Sequence, residues 1–400
     1  MKKHIVILCD GMADYKTEDG RTPMKDANKP TMDYLAKNGE VGLCRTVPQG
    51  MKPGSDVANL SVMGYDPAIY YTGRSPLEAL SIGVKMDETD VSYRANLVCL
   101  SDEENYEDKT MVDYSAGEIS TEEASQLIAF LRQFFNDEEL ELTAGISYRH
   151  CLLRRNANTG AILTPPHDIS DKVIGEYLPK GEYAKDMLAI MERSYELLHD
   201  HPINRIRKAN GKKPANSLWF WGEGRKPILD SFESKYGVKG AVISAVDLIK
   251  GIGIASNMTS IDVEGATGTI KTNFEGKAQA AIDALKKHDY VYIHLEAPDE
   301  CGHQGNYEEK VLSLELIDQK IIKPIVDHLE SKKAKYNILI CPDHATPVSL
   351  KTHVSDPVPY LVYDSEKEQT SPIERFDEEN AKKCRNFVES GCMLIRKLLD

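Results

Sequence analysis

Six Asp and His residues, far apart in this 400-residue chain, each come shortly after a short apolar run. In chain order the candidates are Asp10, Asp299, His303, Asp343, His344 and His353. Carboxylate together with imidazole suits Mn²⁺, Zn²⁺, Co²⁺ or Mg²⁺, whereas thiolates would indicate a closed structural zinc site. Three carboxylates and three imidazoles are too many for one catalytic ion with an open position. They suit two ions, an arrangement that clamps the attacking and leaving oxygens in phosphoryl transfer.

The segment from Pro53 to Pro67, PGSDVANLSVMGYDP, contains a candidate nucleophile. Gly54 predicts a tight turn, and Ser55 stands where the following helix would begin. A hydroxyl at a helix N-terminus is well placed to attack phosphorus, because the exposed N–H groups there favour anionic oxygens. The alternative is that Ser55 only caps the helix, since serine is a common N-cap. An esterase-type nucleophile is disfavoured, because the segment lacks the G-x-S-x-G pattern.

Short apolar runs alternate with helical segments, which predicts a doubly wound sheet, mostly parallel and buried on both faces. The predicted strands are His4–Cys9, Ala241–Val246, Tyr290–Leu295, Asn337–Cys341 and Tyr360–Tyr363, and the predicted helices include Gly276–Lys287 and Glu308–Lys332. Ligands of an open α/β sheet bind beyond the carboxyl ends of its strands. A single Asp after a strand is more often a turn or cap residue. The convergence of the candidates on one sheet edge is what favours a metal site.

Residues 88–225 have a different pattern, which predicts an α+β domain inserted into an α/β domain formed by residues 1–87 and 226–400. Its predicted strands are Tyr93–Leu100, Tyr148–Arg155 and Ser217–Trp221, and its predicted helices are Thr121–Phe135 and Tyr183–Leu198. Ser120 and Glu123 predict a capping box for the first of these helices. The glycines and proline of Gly83–Glu88 and Gly222–Pro227 are typical of linkers between domains.

The composition limits the class of partner. The chain is 41% hydrophobic and 28% charged, with a formal net charge of -14. This charge argues against nucleic acid or an anionic membrane as the main partner, because both favour a basic surface. A phosphorylated substrate would therefore need a local cluster of Arg and Lys.

The cysteines and the apolar runs suggest a cytoplasmic protein. The eight cysteines form no C-x-x-C pair, and a chain of this size needs no disulfides to hold its core. The first apolar run ends at Asp10, too early for a signal-peptide core, and no later run is long enough to span a bilayer.

These residues resemble one family along nearly the whole chain: the cofactor-independent phosphoglycerate mutases of the archaeal type, in the alkaline phosphatase superfamily. The resemblance rests on Cys9–Met12, Pro53–Pro67, Ala245–Gly253, Asp299–His303 and Asp343–Pro359. It implies an isomerase of glycolysis and gluconeogenesis that interconverts 3-phosphoglycerate and 2-phosphoglycerate through a phosphoserine on Ser55. It implies two divalent ions, with Mn²⁺ favoured over Mg²⁺, Co²⁺ or Zn²⁺, and a small phosphorylated substrate. The oligomeric state stays open.

The resemblance also implies which residues hold the ions. One ion would be held by Asp10, Ser55, Asp343 and His344, and the other by Asp299, His303 and His353. The inserted domain would act as a lid that binds the substrate and excludes water, because water would otherwise hydrolyse the phosphoserine.

The substrate-binding residues are predicted on the resemblance and on charge. Lys250 matches the family's phosphate-contacting lysine. The candidates in the inserted domain are Arg94, Arg149 and Arg225 for the carboxylate, with His150 and Asp168 as hydrogen-bonding or proton-relay groups. The alternative for each of these residues is an ordinary surface charge.

One departure from the family pattern bears on the substrate. The family commonly has an arginine just before the Gly-x-Gly of residues 222–224, and this chain has Trp221 there. A tryptophan cannot clamp a carboxylate. In this segment the chain is similar to a bacterial branch of the family that is proposed to act as a homoserine kinase. A kinase-like phosphotransferase on the same scaffold is therefore the alternative. A metal-dependent phosphatase is another.

Overall fold

The computed structural model describes residues 2–367 and 369–400. The chain forms two compact units. Unit 1 comprises Met1–Tyr71 and Leu229–Asp400, and unit 2 comprises Thr72–Ile228.

The elements follow in chain order. The first stretch of unit 1 contains β1 (Lys3–Cys9), α1 (Pro23–Asp26), α2 (Pro30–Lys37), β2 (Glu40–Cys44), α3 (Ser55–Val62) and α4 (Pro67–Tyr70). Unit 2 contains α5 (Ser75–Ser81), β3 (Val91–Leu100), β4 (Met111–Asp113), α6 (Thr121–Phe135), β5 (Leu140–Thr143), β6 (Arg149–Arg154), β7 (Ala161–Ile162), β8 (Lys180–Gly181), α7 (Ala184–Leu198), α8 (Pro202–Ala209) and β9 (Ser217–Arg225). The second stretch of unit 1 contains α9 (Phe232–Tyr236), β10 (Gly240–Ile243), α10 (Asp247–Ala255), β11 (Thr259–Ile261), α11 (Phe274–Ala284), β12 (Tyr290–Leu295), α12 (Ala297–Gln304), α13 (Tyr307–Ile317), α14 (Lys323–Ser331), β13 (Tyr336–Cys341), β14 (Val358–Asp364), α15 (Glu378–Lys383), β15 (Phe387–Val388) and α16 (Leu394–Leu399).

The core of unit 1 is an eight-stranded sheet in the order β11-β10-β12-β1-β13-β14-β2-β15. Strand β1 pairs in parallel with both β12 and β13, so these three strands end at the same edge. Strand β14 pairs antiparallel with both of its neighbours, β13 and β2. The predicted α/β class with a mostly parallel sheet is confirmed, and the strand predicted at Tyr360–Tyr363 runs against the others.

Helices cover both faces of this sheet. On one face Ile5 and Ile293 belong to a core that also includes residues of α2, α11 and α13. On the other face a Cβ at Gly253 of α10 would lie 2.3 Å from Val242 of β10. This face also contacts α16, because His4 Nδ1 lies 3.0 Å from the carbonyl oxygen of Leu398. Strands buried on both faces explain why their sequences are continuous apolar runs.

Unit 2 is an α+β unit built on antiparallel strands. Strand β3 pairs with both β6 and β9, and α6 and α7 supply apolar side chains to a core with β3. The predicted capping box is present in part, since the Ser120 hydroxyl accepts a hydrogen bond from the Glu123 N–H at the start of α6.

The unit boundaries differ from those predicted from the sequence. Unit 2 begins at Thr72, before the predicted boundary of 87/88, and it ends at Ile228, after residue 225. The predicted linker Gly83–Glu88 lies inside unit 2, because Val84 and Met86 pack against Leu153 in a small apolar cluster. Gly83 indicated flexibility, but the apolar residues Val84 and Met86 that follow it are buried.

The long helix predicted at Glu308–Lys332 is two helices, α13 and α14, joined by a π-helical turn at Asp318–Ile322. Pro324 stands in the first turn of α14, where its missing N–H costs little. Among the described residues, none of the helices combines the length and apolar character that a membrane span requires.

Candidate metal centre

All the predicted metal ligands lie in unit 1, and the six Asp and His residues among them come after three neighbouring strands. Asp10 follows β1, Asp343 and His344 follow β13, and Asp299 lies in α12 after β12. The side chains of Asp10, Asp343 and His344 form one group whose potential ligand atoms lie within 4.8 Å of one another, and Asp299, His344 and His353 form another. The parallel pairing of β1 with β12 and β13 thus brings together residues that are far apart in sequence.

The first group surrounds the imidazole of His344. Its Nε2 lies 3.5 Å from Asp10 Oδ1 and 3.3 Å from Asp343 Oδ2. The Ser55 hydroxyl lies 3.3 Å from the same nitrogen. The two carboxylates and the imidazole are buried, so their charges are poorly screened by water.

The second group centres on Asp299. Its Oδ2 lies 3.2 Å from His303 Nε2, and its Oδ1 lies 3.4 Å from His353 Nε2. The two imidazole nitrogens are 2.9 Å apart. Hydrogen bonding to Asp299 raises the pKa of His303 to about 9. His344 stacks on His353 with ring centres 3.9 Å apart, so the two groups are continuous.

One buried oxygen atom indicates that these carboxylates and imidazoles suit a divalent cation. Asp10 Oδ1 is buried and has no hydrogen-bond partner among the described residues. Burial, reinforced by the neighbouring Asp343, raises the pKa of Asp10 well above its usual range. A carboxylate in this position requires a compensating positive charge, and a divalent cation among carboxylates and imidazoles supplies one.

Ser55 is the first residue of α3, and the residue that caps this helix is Gly54. Gly54 has no side chain to bond the helix N–H groups, and Ser55 does not replace it in that role. The Ser55 hydroxyl instead lies beside His344. The capping alternative weighed on sequence grounds is therefore disfavoured, while the helix N-terminus still favours anionic oxygens at this position.

Gly11 brings the end of β1 against α12. Its φ of +62° lies in the left-handed region, where glycine is favoured. A Cβ there would lie 2.6 Å from Asp299 Oδ1 and 2.7 Å from Thr346 Oγ1. Any larger residue at position 11 would thus push the two groups of candidate ligands apart.

Several residues of the centre were missed by the sequence analysis. They are His294, Tyr292, Asn59 and Thr346. The Thr346 hydroxyl donates a hydrogen bond to Asp299, and Asn59 Nδ2 donates to Asp343 Oδ2 at 2.8 Å. A polar residue within a fully buried strand, such as His294 in β12, was the available signal.

A family model and two relatives of this chain carry the name of one enzyme. A family model described as 2,3-bisphosphoglycerate-independent phosphoglycerate mutase matches residues 36–204. A protein of Geobacter sulfurreducens named probable 2,3-bisphosphoglycerate-independent phosphoglycerate mutase is 48% identical over 400 residues, which is 100% of both chains. This chain belongs to that family. The mutase of the same name from Methanosarcina barkeri is 48% identical over 385 residues, 95% of each chain.

Solved structures agree with the family of phosphoglycerate mutases. A protein from Pyrococcus horikoshii matches with a TM-score of 0.81 and 29% identity, covering 100% of this chain and 97% of that one. The cofactor-independent phosphoglycerate mutase of Thermoplasma acidophilum matches with a TM-score of 0.66 and 25% identity, covering 100% and 99%. The family predicted from the sequence is confirmed.

Lys250 is the one predicted substrate residue of this phosphoglycerate mutase family member that lies in unit 1. It belongs to α10, and its Nζ lies 2.7 Å from Asp262 Oδ1 and 4.0 Å from Asp247 Oδ1. Its side chain is 18% exposed, so it is more buried than an ordinary surface charge, and its contact with the substrate phosphate stays a prediction.

Arg94 and Arg149 lie close together in unit 2 but have different environments. The Arg94 guanidinium donates to Glu78 at 2.8 Å and lies 3.8 Å from the centre of the Trp221 ring. Burial lowers its pKa, with Glu78 opposing that change, and it stays charged at neutral pH. Arg149 is exposed, and none of the described carboxylates forms an ion pair with it. Of the two, Arg149 is the better placed to bind an anion.

The other three predicted residues of unit 2 have different environments, and their roles in binding stay predictions. His150 is buried in the strand next to Arg149, and burial lowers its pKa to about 3, so it is neutral. Arg225 donates to the backbone carbonyl of Ala157 at 2.8 Å, which is a structural contact. Asp168 is 61% exposed and lies 3.6 Å from His167. The adjacent His167, which sequence reasoning missed, contacts the Trp221 ring with ring centres 5.2 Å apart.

Proposed function

We propose that this chain interconverts 3-phosphoglycerate and 2-phosphoglycerate through a phosphoserine on Ser55. The observation that carries the proposal is the position of the Ser55 hydroxyl, 3.3 Å from His344 within a set of buried carboxylates and imidazoles. Identity of 48% over the whole chain to a relative with this name supports the same reaction.

The residues that would hold two divalent ions follow the two groups of the centre. Asp10, Ser55, Asp343 and His344 would hold one ion, and Asp299, His303 and His353 the other. Bound ions supply Lewis acidity that favours the ionised serine and neutralises charge on the phosphoryl oxygens. Mn²⁺ is the proposed ion, and Mg²⁺, Co²⁺ and Zn²⁺ suit the same donors.

Ser55 would carry the phosphoryl group between the two hydroxyls of glycerate. As the bond from Ser55 Oγ to phosphorus forms, Ser55 gives up its proton, the bond from phosphorus to the first glycerate oxygen breaks, and that oxygen gains a proton. The second glycerate hydroxyl then attacks the phosphoserine and loses its proton, the bond from phosphorus to Ser55 Oγ breaks, and Ser55 regains a proton, so the atoms and charges balance over the cycle. The N–H groups at the start of α3 would stabilise the phosphoryl oxygens during both steps.

Unit 2 is the proposed substrate-binding lid, with Lys250 of unit 1 as a further phosphate contact. A net charge of -14 disfavours an anionic substrate, so local cations must attract it. Arg149 is the proposed carboxylate ligand, since it is exposed and unpaired among the described carboxylates. Arg94 would support it indirectly, by holding Glu78 and the Trp221 ring in place.

The reaction is tested by offering purified, Mn²⁺-loaded protein each candidate substrate in turn. We expect isomerisation of 3-phosphoglycerate in both directions, with little release of inorganic phosphate. Phosphate release without isomerisation would indicate a phosphatase. Turnover of homoserine with a phosphate donor, and none of phosphoglycerate, would favour the kinase alternative that Trp221 raises.

Replacing Arg149 by alanine is expected to weaken phosphoglycerate turnover by about 10- to 100-fold, because a charged hydrogen bond to the substrate is lost. We also expect a larger fraction of phosphoserine to be lost to water, measured as inorganic phosphate released per isomerisation. Arg193→Ala is the matched control, since Arg193 is a surface residue of the same unit paired with Glu196. If Arg149→Ala behaves like this control, the substrate carboxylate is bound elsewhere.

A further inference from the structure

One face of strand β12 carries a row of polar side chains that no sequence motif indicated. Residues two apart in a strand point to the same face, so Tyr290, Tyr292 and His294 lie in a row. All three are buried in unit 1. The row lies on the face of the sheet that α3 covers, since Tyr292 bonds to Asn59 of that helix.

His294 holds the carboxylate of Asp10. Its Nε2 lies 2.9 Å from Asp10 Oδ2, and its Nδ1 lies 3.2 Å from the Ser244 hydroxyl. The Ser244 oxygen accepts a hydrogen bond from the Val246 N–H at 2.9 Å, which leaves the hydroxyl proton to donate to Nδ1. Because the ionised Asp10 carboxylate can only accept, the imidazole proton is assigned to Nε2, which donates it to Asp10 Oδ2. Asp10 Oδ1, the buried oxygen without a partner, is left for a cation.

Tyr292 holds the carboxylate of Asp343 through Asn59. The Tyr292 hydroxyl donates to Asn59 Oδ1 at 2.6 Å. The amide nitrogen of Asn59 then donates both to Asp343 Oδ2 and to the Ser55 carbonyl oxygen, each at 2.8 Å. A flipped amide would place its oxygen against these two oxygens and leave the Tyr292 proton without an acceptor. The two acceptor oxygens and the tyrosine thus favour the same orientation of the amide, and the tyrosine hydroxyl adds the hydrogen bond that holds its oxygen end.

The second group of candidate ligands is held without β12 side chains. Asp299 accepts a hydrogen bond from Thr346, and His303 Nδ1 lies 3.0 Å from the Lys351 carbonyl oxygen. The β12 side chains therefore support only the first group, whereas the Thr346 hydroxyl contacts both Asp299 and His344.

We infer that Tyr292 and His294 form a positioning pair that orients Asp10 and Asp343 for one of the two ions and leaves the other ion site unaffected. The inference rests on the proposed function, because it requires Asp10 and Asp343 to be ion ligands. Partners that orient metal ligands commonly change metal affinity by about 10–100-fold when removed.

The test measures Mn²⁺ binding to metal-free protein by titration calorimetry, without any activity assay. His294→Leu removes the donor to Asp10 at similar volume, and Tyr292→Phe removes only the hydroxyl. We expect each to weaken one Mn²⁺ binding event, by about 10–100-fold for His294→Leu, and to leave the second event unchanged. His294→Gln, whose amide N–H can donate to Asp10, should restore most of the affinity.

Tyr290→Phe is the matched control. Tyr290 lies in the same row of β12, and its hydroxyl is buried without a hydrogen-bond partner among the described residues. This variant should bind both ions as the wild type does. Thermal unfolding in EDTA shows whether a variant still folds. If His294→Leu does not fold, Tyr292→Phe provides the decisive comparison.

Asp10→Asn separates failure of the inference from failure of the proposed function. If Asp10→Asn leaves both binding events unchanged, Asp10 is not a ligand, and the proposed ion site fails together with the inference. If Asp10→Asn weakens one event while neither His294→Leu nor Tyr292→Phe does, the ion site stands and the positioning pair is wrong. Equal weakening of both events by the β12 variants would also overturn the inference.

Discussion

Ser55→Ala is expected to lower the turnover of phosphoglycerate by roughly 10⁴-fold or more, because only binding and electrostatic effects remain once a nucleophile is removed. The fold should survive, since Ser55 does not cap α3 and Gly54 keeps that position. Mn²⁺ should still bind, because Asp10, Asp343 and His344 are unchanged. The measurements are steady-state isomerisation, thermal unfolding and metal content of the same preparation.

Ser61→Ala is the control for this variant. Ser61 lies in the same helix, but its hydroxyl faces Cys392, with oxygen and sulfur 3.7 Å apart. It should keep wild-type turnover with at most a modest loss of stability. Phosphoserine should be detected at Ser55 by mass spectrometry after rapid quenching of the wild type and be absent from Ser55→Ala. Near wild-type turnover by Ser55→Ala would show that Ser55 is not the nucleophile and has only a structural role.

The sequence was sufficient to predict that the candidate Asp and His ligands lie close together, for a physical reason. Buried parallel strands are continuous apolar runs, so their carboxyl ends can be found without knowing strand order. Asp10, Asp299 and Asp343 all stand at such ends, and parallel pairing brings them together. The same reasoning needed no knowledge of how the helices pack.

Contacts that depend on strand order and register could not be predicted. His294 and Asn59 meet their partners only because β12 lies beside β1 and beneath α3, which no local pattern indicates. The pairing of Arg94 with Glu78 was hidden for the same reason, since α5 was read as part of the other domain. The burial of His150 next to the exposed Arg149 could not be predicted either, because all the residues of β6 after Arg149 are buried and show no alternation.

Removing metal from the protein is expected to abolish isomerisation completely and reversibly. Without cations, Asp10 and Asp343 are buried carboxylates, and Asp10 Oδ1 has no hydrogen-bond partner among the described residues. Burial also raises the pKa of Asp10. Cations that bind only the folded state also stabilise it by mass action. The metal-free protein should therefore unfold at a lower temperature than the Mn²⁺-loaded protein, and its activity should return on adding Mn²⁺.

The decisive measurement pairs activity with metal analysis of the same sample after exhaustive dialysis against EDTA. The control is EDTA already saturated with Mn²⁺, which should leave both activity and unfolding temperature unchanged because it cannot remove an ion. Asp343→Asn should resemble the chelated protein, since it removes a buried charge that Asn59, Gly11 and the His344 backbone all orient. Asp262 is an exposed carboxylate paired with Lys250, so the Asp262→Asn variant should still bind Mn²⁺ as the wild type does. Full isomerisation by a preparation shown to contain no metal would rule out ion-dependent chemistry at Ser55.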